Sequence, residues 1–158
     1  YYIINKCDAE ICASYIQYLL YYIQAFSLSL FDIEMFKEDY KVNNEKTPYP
    51  KLYENMKRCG INTLDIKEGI LTDEEMALID AICEAFSWYG PKALESLLED
   101  EASELKISRD RFNNKIISKE NIKLYFNNIC SEYKINGVED IYKYPDQALA
   151  RIRELRHK

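Results

Sequence analysis

From Ile11 to Phe31 the chain carries no charged residue. Within that stretch Cys12, Ile16, Leu19, Leu20, Ile23 and Phe26 recur at spacings of three and four, the period of a helix with a core-facing side. A run of this length also invites comparison with a membrane span, which needs about 20 mostly apolar residues. Ser14, Gln17, Gln24, Ser27 and Ser29 interrupt it, tyrosines replace much of the aliphatic bulk, and Glu10 and Asp32 bracket it with no basic flank. The pattern predicts a helix through the middle of a soluble core, no membrane segment, and tyrosine hydroxyls that reach the surface.

Downstream the patterning is shorter in range. Ile33, Met35 or Phe36, and Tyr40 suggest an extended or hairpin segment within Phe31–Val42. Asn43–Pro50 reads as a loop, Lys51–Cys59 as a short helix stopped by Gly60, and Ile61–Ile70 as an irregular stretch with a second short strand or turn. Thr72 with Glu75 forms a capping box that opens a helix with Met76, Ile79, Ile82, Cys83 and Phe86 on its apolar face. Gly90-Pro91 ends that helix, and another follows over Lys92–Leu105. Phe112–Ile117 reads as a basic, polar connector. Ser118 caps a helix over Lys119–Tyr133 with Ile122, Tyr125, Phe126 and Ile129 on one face. Asn136-Gly137 makes a turn, and Tyr144-Pro145 leads into a last helix, Asp146–Arg156. No internal repeat is visible. The expected fold is a single, predominantly α-helical α+β domain over 1–158, with a long central helix, packed helices and a two- or three-stranded sheet near residues 31–70.

Composition supports a folded chain. At 158 residues with 47% hydrophobic and 30% charged content, the sequence can bury a core without a disulfide or metal. A net charge of −6 disfavours nonspecific nucleic-acid binding, which draws on a basic face. The basic cluster Arg151, Arg153, Arg156, His157 and Lys158 reads first as a solvated helix end that complements the helix dipole. Five cysteines and one histidine form no clustered ligand set, so no metal or cofactor is expected. Cys12, Cys83 and Cys130 fall at apolar helix positions as small core residues, and unpaired thiols favour a reducing cytoplasm. No signal-peptide cleavage pattern is present, and a start at Tyr1 rather than Met suggests that a short leading segment precedes the sequence.

Candidate chemistry is sparse. Neither a GxGxxG nor a GxxxxGK[ST] loop occurs. The acid runs Asp73/Glu74/Glu75 and Glu99/Asp100/Glu101 have the residue types for acid–base work, but they read as solvated helix ends. An enzyme would need a ligand held in a cleft lined by acids and tyrosines. Tyrosine is the abundant residue, with 14 copies. Tyr18, Tyr21 and Tyr22 share one helix face, and tyrosine is enriched at interface hot spots. Core filling is the competing role for each ring.

The order of motifs resembles a known family. Tyr18–Leu30, YLLYYIQAFSLSL, resembles the signature helix of the Panacea domain family, also called SocA-like or GepA-like. The P-x-x-Y ending of the family's following loop matches at Pro50 and Tyr53. Leu71, Asp73–Glu75, Tyr89, Gly90 and Leu97 align with its next block, and Ile117–Phe126 resembles its late helix. The resemblance spans about residues 10–129 and leaves 136–158 as a C-terminal helical extension. The family's loop Trp, Gly and Pro fall on Asn43, Lys46 and Thr47, and its His/Trp segment falls near Leu98–Leu105, which has neither residue.

The resemblance implies a noncatalytic antitoxin or proteolytic adaptor that binds a protein partner such as a toxin or a protease. The residues expected at that contact are Tyr18, Tyr21, Tyr22, Pro48, Tyr49, Pro50 and Tyr53. The alternative is a regulator on a phage or integrated element that binds a recombinase or a defence nuclease. Its DNA contact, if any, would run through Arg151, Arg153, Arg156 and Lys158. A homo-oligomer is compatible with either.

Overall fold

A computed structural model describes residues 13–42, 48–52, 54, 72–86 and 89–156. The described elements are α1 (Ala13–Phe31), β1 (Tyr40–Lys41), α2 (Asp73–Phe86), α3 (Pro91–Ala102), β2 (Ser108–Arg109), β3 (Lys115–Ile117), α4 (Lys119–Glu132), a 3-10 turn (Val138–Asp140) and α5 (Lys143–Arg156). The fold is α+β and predominantly helical. The expected continuation of the 51–59 helix beyond residue 54, the strand or turn at 61–70, and Cys7, Cys12 and Cys59 lie outside the described residues, as do Tyr53, His157 and Lys158.

Helix α1 is the central element and packs against α2, α3 and α4. Its lack of charge is explained by burial on nearly every side: Leu19, Tyr21, Tyr22, Ala25 and Phe26 are all at 0% exposure. Gln17, Gln24 and Ser27, three of the polar residues that argue against a membrane span, are buried as well, and they hold the chain that follows. Gln24 accepts from the Met35 amide at 2.7 Å and donates to the Phe36 carbonyl at 2.8 Å. The Ser27 hydroxyl donates to the Ile33 carbonyl at 2.7 Å, and Gln17 accepts from the Tyr49 amide at 2.8 Å. A segment without regular structure has backbone groups that need partners when buried, and α1 supplies them from its side chains. No helix among the described residues is long and apolar enough to cross a membrane.

The expected caps form. The Glu75 amide donates to Thr72 Oγ1 at 3.1 Å, and the Asn121 amide to Ser118 Oγ at 3.1 Å. Gly90 is the N-cap of α3 and Pro91 opens its first turn, so this pair starts a helix as much as it ends one. Proline fits there because a first-turn amide has no helical partner. The same logic places Pro145 inside the first turn of α5, which begins at Lys143 rather than at Asp146.

The sheet corrects the expected placement. Among the described residues between 31 and 70 the only strand is β1; the antiparallel order is β1-β3-β2, with Tyr40 opposite Ile117 and Ser108 opposite Ile116. Phe112–Ile117 is therefore not a connector throughout. Its first residues close a hairpin in which the Asp110 carboxylate accepts from the Phe112 and Asn114 amides at 2.8 and 2.9 Å. Asn113 takes the left-handed conformation at φ 65°, which asparagine tolerates. Ile116 and Ile117 are then both buried, and Ile117 joins the core.

The cysteines divide. Cys130 is a buried free thiol, whereas Cys83 is disulfide-bonded. Cys83 is still a buried helix residue, but the expectation of unpaired thiols, and the inference of a reducing compartment drawn from it, does not hold there.

Candidate functional site

The tyrosines expected at the surface turn inward. Tyr22 stacks on Phe86 with ring centroids 4.2 Å apart, and Tyr21 meets Tyr40 edge-to-face at 5.2 Å. Phe126 sits edge-on to Tyr21, Phe26 and Tyr144. The Tyr15 hydroxyl donates to the Phe86 carbonyl at 2.8 Å, satisfying a helix-end carbonyl of α2; burial pushes its pKa up to about 12. The Tyr21 and Tyr49 hydroxyls are buried with no hydrogen-bond partner among the described residues.

Glu101 is the largest departure from the expected solvated acid run. It lies at the end of α3 at 0% exposure. The Tyr22 hydroxyl from α1 donates to one carboxyl oxygen at 2.7 Å, and the Tyr144 hydroxyl from α5 to the other at 2.9 Å. Burial raises its pKa from 4.5 to about 8, against the lowering effect of the two tyrosine hydrogen bonds; Asp100 and Glu104 add smaller upward contributions. Glu101 thereby joins α1, α3 and α5; in the protonated form that burial favours, the carboxyl donates one of these two hydrogen bonds and accepts the other. It lines neither of the two cavities described next.

Of the contact residues expected from sequence, the structure brings Tyr18 and Pro48 together. They line a small cavity of about 170 Å³ with Tyr40, Val42, Leu98 and Ile107. Tyr49 is buried behind it, 4.7 Å from the Phe36 ring, and Pro50 is half-buried at the start of a helical turn. Tyr21 and Tyr22 belong to the core and offer no exposed face. In the tail, Arg151 is exposed and lies 3.5 Å from the Glu132 carboxylate, and Arg153 is exposed.

A larger concavity lies where sequence reading placed nothing. A groove of about 770 Å³ runs between α2 and the 3-10 turn with the start of α5. Ala77, Asp80, Ala81, Glu84 and Ala85 form the α2 wall; Tyr89, Val138, Glu139, Tyr142 and Asp146 form the other. Tyr142 is 61% exposed, and the Tyr89 hydroxyl donates to Asp146 at 3.3 Å. The α2 wall alternates small and acidic positions four residues apart, a signal present in the sequence. Apart from Tyr89, the opposite wall comes from more than fifty residues downstream, beyond any local pattern.

Among the described residues no group of His, Cys, Asp and Glu is arranged to hold a metal ion. No protein-family model, curated protein or solved structure matches the chain.

Proposed function

We propose that the chain is a noncatalytic protein-binding module and that the groove between α2 and α5 is its contact surface. One observation carries this: a concavity of about 770 Å³ walled by alanines and carboxylates with an exposed tyrosine. Ligand-sized pockets span roughly 300–1,000 Å³ and are lined mostly by hydrophobic and aromatic side chains with a few placed polar groups. This lining instead has carboxylates and phenols, and no Ser, Cys, His or Lys among its described residues. It resembles an interface with a rigid aromatic anchor more than a reaction site.

The Panacea-like motif order suggests the form of the activity, an antitoxin or adaptor that neutralises its partner. Co-expression with the products of neighbouring genes tests it. The reading expects one of them to co-purify in a fixed ratio and to lose its growth-inhibitory effect when the chain is present. A chain that joins no neighbour's product and relieves no toxicity contradicts it. For the regulator reading, the Arg151–Glu132 pair weighs against the tail as a phosphate contact, because part of its charge is already neutralised.

A further inference from the structure

We propose that the groove receives a basic amphipathic helix of the partner protein, with its apolar ridge on the α2 alanines and its cationic side chains on the carboxylate rims. The proposal rests on the binding-module reading and names the chemistry of the occupant.

The shape argument comes first. Ala77, Ala81 and Ala85 stand four residues apart on α2, a row about 12 Å long at about 1.5 Å per residue. Helices pack by setting ridges of residues spaced by four into matching grooves. A row with alanine at each position gives a shallow channel in which an incoming helix of larger side chains can seat. Tyr142, mostly exposed on the far wall, supplies an aromatic surface beside that row.

The charge argument selects the partner. Asp80 and Glu84 run along one side of the alanine row, while Glu139 and Asp146 stand on the other. No Lys or Arg is among the described lining residues. Among the described residues, Arg153 lies near enough to Tyr89 to act on it electrostatically, at the α5 end of the groove. An apolar floor between two acidic rims repels an acidic or neutral-faced helix and attracts one whose apolar stripe is flanked by Lys or Arg.

The test uses two synthetic 18-residue helical peptides with the same leucine stripe, one with lysine and one with glutamate on the flanks. Binding to the full chain is read by fluorescence anisotropy and mapped by amide chemical shifts. The lysine peptide is expected to bind, to shift Ala77, Ala81 and Tyr142, and to weaken about tenfold between low and moderate salt. The glutamate peptide is expected not to bind. Exchanging Glu84→Lys with Glu139→Lys, both exposed, is expected to weaken the lysine peptide by roughly tenfold or more. Glu132→Lys with Glu154→Lys makes the same change in net charge outside the groove and is expected to weaken it less than threefold.

Equal binding of both peptides, equal loss in the two double variants, or shifts that map elsewhere would overturn the proposal. So would absence of binding. Recovery of a neighbouring gene product by the Glu84→Lys/Glu139→Lys chain at wild-type level would also overturn it, while leaving the binding-module reading in place.

Discussion

Replacing Glu101 with glutamine isolates the energetic consequence of a buried carboxyl held between two tyrosines. In the folded chain its pKa is raised from 4.5 to about 8. Between those values the unfolded chain releases the proton and the folded chain keeps it, so stability falls as pH rises. The stabilising contribution is complete below pH 4.5 and is lost as pH approaches 8. At about 1.4 kcal/mol per pH unit the loss is roughly 5 kcal/mol across the interval and roughly 3 kcal/mol by pH 7.

Glutamine keeps the shape. Its carbonyl accepts from one tyrosine, and its amide donates to the other once that hydroxyl rotates, so no buried hydroxyl is stranded. Glu101→Gln is therefore expected to be about 1 kcal/mol less stable than wild type at pH 4.5, from poorer hydrogen-bond geometry. It is expected to be about 3 kcal/mol more stable at pH 8, where the linkage cost has been removed. Urea unfolding followed by circular dichroism from pH 4.5 to 8.5 reads the difference directly, because the other titrating groups are common to both chains. A difference that stays constant with pH would refute the reasoning and place Glu101 as an ordinary carboxylate.

Three further outcomes follow from the same geometry. Gln24→Ala strips the partners from the Met35 amide and the Phe36 carbonyl; at about 1–3 kcal/mol for each stranded group, urea midpoints should fall by more than for Ser29→Ala on the same helix. Ser118→Ala removes the cap of α4 and should cost about 1 kcal/mol in equilibrium unfolding, with Ser118→Asp restoring most of it. Phe126→Ala empties the centre of the aromatic cluster and should cost about 3–5 kcal/mol, whereas Phe112→Ala, at a 71% exposed ring, should leave the midpoint unchanged.

The helices were legible because their periodicity and caps are local. Thr72, Ser118 and the apolar faces of α2 and α4 each announce themselves within a few residues, and α1 announces itself by what it lacks. The strands β2 and β3 were missed because each is only two or three residues long. β3 pairs with β2 across a short turn and with β1 more than seventy residues earlier, and strands this short leave alternation no room to develop. Glu101 was misread, although a signal existed: Leu94, Leu97, Leu98, Glu101 and Leu105 keep the core-facing period, and all are buried. The flanking Glu99 and Asp100 hid it in what looked like a solvated acid run. Tyr18, Tyr21 and Tyr22 posed the reverse problem. Their shared face is real, but a tyrosine face can be closed over by other aromatic rings and carboxyls, and here Phe86, Phe126, Tyr40 and Glu101 come from four other segments to do so. The groove is legible along one wall only, since Glu139, Tyr142 and Asp146 meet α2 only through the tertiary fold.

Site-specific photocrosslinking tests the central claim most directly. A benzophenone side chain is placed at Tyr142, in the groove, or at Phe112, an exposed ring on the β2–β3 hairpin, and the chain is co-expressed with its neighbouring gene products. The account predicts one discrete protein adduct from position 142, abolished by Glu84→Lys with Glu139→Lys, and none from position 112. Adducts of equal yield from both positions, or none from position 142, would contradict it.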